Sequence, residues 1–155
     1  MNSIIFTAIL IIIDRISKIL SAKYLAGGPA IVVIPHLLGL RYLENTGMAF
    51  SLLSGKTVFL AVVTAVALIV MAYFLFVKKY GDKFERFCFI LIFAGGVGNL
   101  IDRVFQGYVI DYFEFLFMDF AIFNVADVYV CVGVGLYAIY TFYTEFYKKE
   151  NKTED

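Results

Sequence analysis

The sequence predicts an all-α membrane protein with four transmembrane helices, together with a small β element and an interfacial segment on the extracytoplasmic face. Two observations lead to this fold class. Hydrophobic residues make up 62% of the 155 residues, whereas soluble domains contain roughly 45 to 50% apolar residues. In addition, four stretches are apolar over the length of about 20 residues that a helix needs to cross a bilayer: about 4–24, 58–77, 84–104 and 128–146. We therefore expect one integral-membrane domain over 1–155.

The basic residues predict the orientation of these helices, because short cytoplasmic loops collect Lys and Arg. Four of them surround the connection between the second and third helices: Lys78, Lys79, Lys83 and Arg86. Three more lie in the charged tail at 148–155, whereas the stretch at 104–147 has none. We therefore expect both termini in the cytoplasm, and the loops that follow the first and third helices on the outer face.

Two segments between the helices are expected at the outer membrane surface. The stretch at about 28–55 is interrupted by Gly and Pro but is rich in Val, Ile, Leu and Tyr, which favours short strands over a helix. Because unpaired strand edges cannot face lipid, this β element should lie on the membrane. The stretch at about 105–123 is dense in aromatic and acidic residues, a composition that suits headgroup depth. It is predicted to be an interfacial loop that carries Asp111 over the mouth of the bundle.

The third helix combines close-packing residues with a polar cluster. Ala94 and Gly98 lie one turn apart, and small residues allow membrane helices to approach closely, so this helix is expected to be central. Asn99, Asp102 and Arg103 follow i, i+3, i+4 spacing, which places all three on one helix face. Either Asp102 and Arg103 pair with a neighbouring helix, or Asn99 and Arg103 donate hydrogen bonds to a bound peptide backbone.

Two other polar groups have structural explanations beside functional ones. Asp14 and Lys18 are four residues apart with the acid first, which is the favourable order for an ion pair on a helix. A pair that orders the bundle is therefore weighed against direct chemistry. Asn45 lies where a turn is expected, and Gly47 is able to adopt a positive φ there. A plain turn is the default interpretation of that segment.

Asp111 and Asp127 are the candidates for chemistry. Asn124 and Asp127 are three residues apart where the fourth helix begins, which also fits an N-terminal cap. Asp111 lies 16 residues upstream with no base between the two acids. If the loop folds back, the carboxyls meet, one pKa rises and one proton is shared. An aspartic protease uses such a pair, in which the ionised acid activates water and the protonated acid polarises the scissile carbonyl.

With these residues identified, the chain resembles the bacterial lipoprotein signal peptidases, also called type II or prolipoprotein signal peptidases, which are membrane aspartic proteases with four transmembrane helices. Five short motifs carry the resemblance, in order along nearly the whole chain: Asp14–Lys18 (DRISK), Asn45–Phe50 (NTGMAF), Ala94–Arg103 (AGGVGNLIDR), Val109–Phe113 (VIDYF) and Phe123–Asp127 (FNVAD). Asp-Thr-Gly and Asp-Ser-Gly triplets are absent from the sequence, so a pepsin-like site is not expected.

The resemblance implies that Asp111 and Asp127 form the catalytic dyad. It assigns the other polar positions to shaping the site or holding the substrate: Asp14, Lys18, Asn45, Gly47, Asn99, Asp102, Arg103 and Asn124. The implied substrate is a prolipoprotein whose cysteine carries diacylglycerol, cut just before that cysteine at the outer face of a bacterial cytoplasmic membrane. Membrane lipids and globomycin-type inhibitors are the other implied partners. No metal, organic cofactor or nucleic acid is implied.

Two alternatives to a peptidase are considered. Buried acids in a helical bundle also build proton relays, so a small proton-coupled transporter is one alternative. Transporters often contain internal repeats with binding groups near the membrane midplane, whereas here the polar groups gather toward one face and the two halves are not similar. The second alternative is a non-catalytic membrane scaffold, in which Asp127 is only a helix cap and Asp111 is only solvated.

Overall fold

A computed structural model describes residues 3–48 and 52–151 of the chain. This part contains four α-helices and a three-stranded sheet, in the order α1 (Ser3–Leu25), β1 (Ile31–Ile34), β2 (Leu38–Asn45), α2 (Thr57–Ala72), α3 (Lys83–Phe105), β3 (Val109–Phe115) and α4 (Val125–Asn151). A π-helical segment, Tyr73–Val77, continues α2. The protein is therefore mostly helical with a small sheet, as the sequence predicts at this level.

Three helical segments among the described residues are long and apolar enough to cross a membrane: Thr57–Val77, Lys83–Phe105 and Val125–Glu145. The chain is accordingly a multi-pass membrane protein. Helix α1 is 23 residues long, as α3 is, but it contains four charged residues: Asp14, Arg15, Lys18 and Lys23. Length and composition alone therefore do not identify the predicted first span.

Helix α3 lies at the centre of the bundle and contacts each of the other three helices. Its glycines make this possible, because a methyl group at Gly95 would collide with the backbone carbonyl of Ala126, and one at Gly98 would collide with the carboxylate of Asp14. The prediction that small residues make the third helix central is thus confirmed. Close contact with α1 and α4 brings polar groups from three helices together.

The sheet has the order β1-β2-β3 with antiparallel neighbours. The sequence predicts only an interfacial loop at about 105–123, whereas β3 occupies part of this segment and pairs with β2. Pairing satisfies backbone groups that an irregular loop near the membrane would leave without partners. The register places Leu43 opposite Asp111 and Asn45 opposite Val109, so β2 holds Asn45 close to the acid on β3.

The chain returns toward the bundle through a bridge between Phe113 and Phe123. Helix α4 then begins at Val125, slightly before the predicted start near 128. Asn124 explains the earlier start, since its side-chain oxygen accepts a hydrogen bond from the backbone N–H of Asp127 (3.0 Å) and caps the helix. Helix α4 extends to Asn151, into the predicted tail. Residues 152–155 of that tail, and Ala49 and Phe50 of the second motif, lie outside the described residues.

Candidate active site

The predicted polar residues gather where the sheet meets the helices, around a cavity of about 530 Å³. Five of them line this cavity: Asn45, Asn99, Arg103, Asp111 and Asp127. Much of the remaining wall is apolar and comes from α4 and from the segment that precedes it, including Ile122, Val128 and Val132. The cavity therefore offers a few polar groups in a mainly apolar surface, the usual composition of a small-ligand or peptide site.

Asp111 is placed in this cavity by strand β3 and is only 2% exposed. One carboxylate oxygen accepts a hydrogen bond from Nδ2 of Asn124 (2.6 Å), and the other accepts one from Nδ2 of Asn45 (2.9 Å). Burial, together with the nearby Asp127, raises the pKa of Asp111 to about 6, although the hydrogen bonds from Asn45 and Asn124 favour the ionised form. A carboxyl that titrates near neutrality is suited to proton transfer.

Asp127 occupies the first turn of α4, where its carboxylate accepts two hydrogen bonds. Nδ2 of Asn99 donates to Oδ1 (2.8 Å), and the backbone N–H of Asn124 donates to Oδ2 (3.1 Å). The second contact, together with the bond from the Asp127 N–H to the Asn124 side chain, is a reciprocal helix cap. Asp127 is thus part of a cap and also lines the cavity, so the capping interpretation does not exclude a role at the site.

Asn124 joins the two acids. It is fully buried, and it contacts Asp111 through its side-chain amide and Asp127 through its backbone N–H. Its Nδ2 also lies 3.2 Å from Oδ1 of Asn99, the same oxygen that accepts a hydrogen bond from Nζ of Lys18 (2.8 Å). Two amides and one buried ammonium therefore fix the orientation of both carboxylates. Asp111 and Asp127 therefore share Asn124 as a neighbour and line the same cavity.

A buried network of two acids and two bases supports these residues from α1 and α3. Lys18 pairs with Asp14 at 3.2 Å and with Asp102 at 2.9 Å, and Arg15 pairs with Asp102 at 2.7 Å and with Asp14 at 3.2 Å. The Asp14–Lys18 pair expected from the sequence is present. Asp102 pairs with bases on α1, as expected from the alternative in which it pairs with a neighbouring helix.

The same network holds the backbone segments that carry the candidate acids. The second oxygen of Asp14 accepts a hydrogen bond from the N–H of Ala126 (3.1 Å), next to Asp127. Oδ2 of Asp102 accepts one from the N–H of Ile110 (3.3 Å), next to Asp111. Arg15 is the member of this network that the sequence patterns did not single out. Its charge in an apolar helix was the available signal, because charged residues inside membrane segments are rare and usually paired.

Arg103 on α3 also lines the cavity. One of its terminal nitrogens donates to the backbone oxygen of Gly47 (3.1 Å), while its buried Nε has no hydrogen-bond partner among the described residues. Both hydrogen-bonding ends of the Asn99 amide, in contrast, are engaged, with Asp127, Lys18 and Asn124. Of the two residues expected to hold a peptide backbone, Arg103 therefore retains an unused donor, and Asn99 positions Asp127.

The turn that follows β2 presents Asn45 and Gly47 to this region. Oδ1 of Asn45 accepts a hydrogen bond from the N–H of Gly47 (2.9 Å), which confirms the expected turn. A positive φ is not the reason for the glycine, since Gly47 does not adopt one. A side chain at this position would instead meet the carbonyl of Leu52 and the backbone of Ser54.

Comparisons with known proteins agree on one family. A family model described as signal peptidase (SPase) II matches residues 6–143. A protein named lipoprotein signal peptidase from Clostridium tetani is 41% identical over 140 residues, which cover 88% of this chain and 90% of that protein. One of the same name from Caldanaerobacter subterraneus is 40% identical over 131 residues, covering 84% and 89%.

Solved structures show the same similarity. A bacterial membrane enzyme determined by the in meso method at 2.3 Å resolution superposes with a TM-score of 0.83 and 35% identity, covering 91% of this chain and 87% of that one. A second such structure, at 1.9 Å resolution, has a TM-score of 0.80 and 35% identity, with 90% and 92% coverage. The similarity therefore extends to the whole arrangement of helices and sheet.

Proposed function

This chain belongs to the signal peptidase II family of membrane aspartic proteases, and on that premise we propose that Asp111 and Asp127 are the acids with which it removes signal peptides from prolipoproteins. The observation that carries the proposal is that both carboxylates line one cavity and are joined through Asn124. The transporter and scaffold alternatives are not favoured, since neither explains the family match together with this pair.

The two acids would act as a general base and a general acid that share one proton. The ionised carboxylate takes a proton from water as the water oxygen attacks the scissile carbonyl carbon, while the protonated carboxyl donates a hydrogen bond to the carbonyl oxygen. When the tetrahedral intermediate collapses, the C–N bond breaks, and the proton taken from water passes to the leaving nitrogen. The proton count of the pair is then restored. Asn99 and Asn124 hold the carboxylates in place throughout.

Arg103 is proposed to bind the substrate backbone. Its guanidinium borders the same cavity, and its Nε lacks a partner among the described residues. A peptide carbonyl is a suitable acceptor, because a charged donor in a site with little water makes a comparatively strong hydrogen bond. The apolar wall that includes Ile122, Val128 and Val132 would contact apolar side chains of the signal peptide and the acyl chains of the modified cysteine. A globomycin-type inhibitor would compete for this space.

Helix α1 is proposed as the fourth span, so that 1–155 forms one membrane domain. The charges of Asp14, Arg15 and Lys18 are directed inward onto one another and onto Asp102, and Asp14 and Lys18 are fully buried. The opposite face exposes isoleucines to the surroundings, including Ile12 and Ile16. An apolar outer face with internally neutralised charges is compatible with lipid.

Four spans, together with the basic residues near the second connection, support a topology with both termini in the cytoplasm. The candidate acids then lie toward the extracytoplasmic face of a bacterial cytoplasmic membrane. The sheet β1-β2-β3 and the segment that precedes α4 would rest at that surface. This location suits a lipid-modified cysteine, because its acyl chains remain in the bilayer and present the adjacent bond at the membrane surface.

The activity is tested with a purified precursor in two forms, one with a diacylglyceryl-modified cysteine and one unmodified. We expect the protein to cleave the modified precursor and to release a product that begins with the lipidated cysteine, as read by intact mass. The unmodified precursor should be cleaved at least about tenfold more slowly, because the acyl chains supply apolar contacts. Equal cleavage of the two forms, or a cut elsewhere, would contradict the proposed substrate.

The pair should also produce a bell-shaped dependence of kcat/KM on pH. Because the pKa of Asp111 is raised to about 6 from its ordinary value of 3.8, increasing pH through about 6 removes the shared proton, and activity falls. At low pH both acids are protonated, and no base remains. The raised pKa also affects folding stability. The protonated Asp111 contributes free energy of unfolding that is fully present below pH 3.8 and is lost as pH rises through about 6. A flat kcat/KM profile from pH 4 to 9, measured at constant ionic strength, would be inconsistent with a shared proton.

A further inference from the structure

A second groove lies at the opposite end of α1 and α3 from the candidate acids. It has a volume of about 540 Å³, and its walls come from the first residues of both helices: Ser3, Phe6, Lys83, Arg86, Phe87 and Ile90. Neither the proposed cleavage nor the buried ion network uses any of these side chains. The groove is therefore separate from the candidate active site.

The groove has a cationic rim and an apolar floor. Lys83 is exposed and Arg86 half-buried, as expected for side chains at the rim. Beneath them, the rings of Phe6 and Phe87 stack with centroids 5.8 Å apart, and Ile90 is buried. A ligand that fills this shape must be anionic at one end and apolar at the other.

The acids nearest to these cations belong to the cap of α3, and Nε of Arg86 donates a hydrogen bond to the backbone oxygen of Asp82 (3.3 Å). Asp82 and Glu85 form the capping box of α3, in which Asp82 accepts from the backbone N–H groups of Phe84 and Glu85, and Glu85 accepts from the N–H of Asp82. Asp82 also accepts a hydrogen bond from the hydroxyl of Tyr140. Among the described side chains, neither Lys83 nor Arg86 forms an ion pair within 4 Å.

The position along α3 places the groove at a membrane surface. Arg86 and Asp102 are 16 residues apart, which corresponds to about 24 Å along a helix, compared with a hydrocarbon thickness of ~30 Å. Asp102 lies beside the strand that carries Asp111. If Asp111 and Asp127 lie near the outer surface, as in the proposed topology, a groove about 24 Å further along α3 lies at the depth of the cytoplasmic headgroups. The cytoplasmic leaflet is the one in which anionic lipids attract basic residues.

From this groove we infer a binding site for an anionic phospholipid of the cytoplasmic leaflet. The phosphate lies between Lys83 and Arg86, and one acyl chain covers Phe6, Phe87 and Ile90. The inference rests on the proposed orientation in the membrane and not on the identity of the catalytic acids. A free phosphate would satisfy the two cations but would leave the apolar floor uncovered, so the lipid is the occupant that matches the whole groove.

The binding test uses the full-length protein in neutral detergent, titrated with dioctanoyl phosphatidylglycerol while the thermal unfolding midpoint is followed. We expect the anionic lipid to raise the midpoint and dioctanoyl phosphatidylcholine, its neutral match, to leave it nearly unchanged. Glycerol 3-phosphate should have little effect, because it lacks the acyl chains. A shift as large with glycerol 3-phosphate as with the lipid would overturn the inference in favour of a simple anion site.

Two double variants separate the groove from general surface charge. K83Q/R86Q should bind phosphatidylglycerol about thirty-fold more weakly, given the usual contribution of each base near an anionic headgroup. K78Q/K79Q removes the same charge from the same membrane face, outside the groove, and should bind as the unsubstituted protein does. Equal weakening in both variants would show that the lipid responds to net charge alone and would contradict the site.

A measurement on the unsubstituted protein keeps the test valid if K83Q/R86Q does not fold. A photoreactive phosphatidylglycerol with a diazirine in its acyl chain should label peptides that contain Phe6 or Phe87, whereas labelling confined to other helices would overturn the inference. Binding by an Asp111→Asn protein separates this inference from the proposed function. That protein should bind the lipid with unchanged affinity, whatever its peptidase activity proves to be.

Discussion

Asp111→Asn and Asp127→Asn are each expected to lower the rate of precursor cleavage on the order of 10³-fold. Proton transfer by a positioned side chain typically contributes 10² to 10⁴-fold, and an amide can neither accept the proton of water nor share one with the remaining acid. The rate should be measured as kcat/KM on the diacylglyceryl-modified precursor. Either variant cleaving at the normal rate would exclude its residue from the catalytic pair.

The control for these variants is another acid, in the segment between β3 and α4. Asp119 is exposed and does not line the cavity, so Asp119→Asn should retain nearly full activity. Asp127→Glu adds a more demanding comparison, since it keeps the charge but moves the carboxylate by about one bond length. Misplacement by about 1 Å can cost about 10²-fold, so this variant should also be strongly impaired. Thermal unfolding midpoints of all variants show whether lost activity reflects lost folding.

Asp102→Asn is expected to lower the free energy of unfolding by about 3 to 5 kcal/mol, because breaking a buried charge pair leaves an uncompensated charge in the interior. Asp102 is fully buried and contacts both Arg15 and Lys18. Its replacement leaves two bases against the single acid Asp14. Reversible unfolding in mixed micelles measures the change.

Two comparisons identify the origin of that loss. Adding Lys18→Met to Asp102→Asn restores charge balance and should recover part of the stability. Arg41→Gln breaks a pair with Glu114 at 2.9 Å in which Arg41 is 54% exposed, and such surface pairs contribute about 1 kcal/mol or less. If Asp102→Asn proved no more destabilising than Arg41→Gln, the network would not be an important stabilising element.

The network also predicts a functional effect of the same substitution. Oδ2 of Asp102 accepts the hydrogen bond of the Ile110 N–H, one residue before Asp111 in β3. Asparagine has only one acceptor oxygen, which cannot serve both the Ile110 N–H and the donors on the other oxygen of Asp102, Arg15 and Gln106. The substitution should therefore weaken the hold on the strand that carries a candidate acid. We expect kcat/KM to fall in Asp102→Asn even under conditions where the protein remains folded, whereas Arg41→Gln should leave it nearly unchanged.

The sequence by itself determined the helices and the residues capable of chemistry. Apolar stretches of bilayer length are a local property, so the helical architecture could be read directly from the sequence. The small residues of α3 likewise predicted its close packing against neighbouring helices. Asp111, Asp127 and the amides of the motifs could be selected because a polar group in such an apolar chain requires a partner or a function.

Only the tertiary structure decided which of these groups meet. The sequence allowed Asp102 to pair with a neighbouring helix but did not say which one, and its partners proved to be Arg15, 87 residues away, and Lys18, both on α1. Asn45 donates a hydrogen bond to Asp111, 66 residues away, because of the register of β2 and β3. Strand β3 lies in a segment where the sequence predicts a loop. Local patterns specify which face of a helix a residue occupies, but they do not specify which element packs on that face. Which elements pack together depends on contacts between distant parts of the chain. Here Gly95 and Gly98 allow α3 to approach α4 and α1 closely, and this brings three helices together beside the two acids.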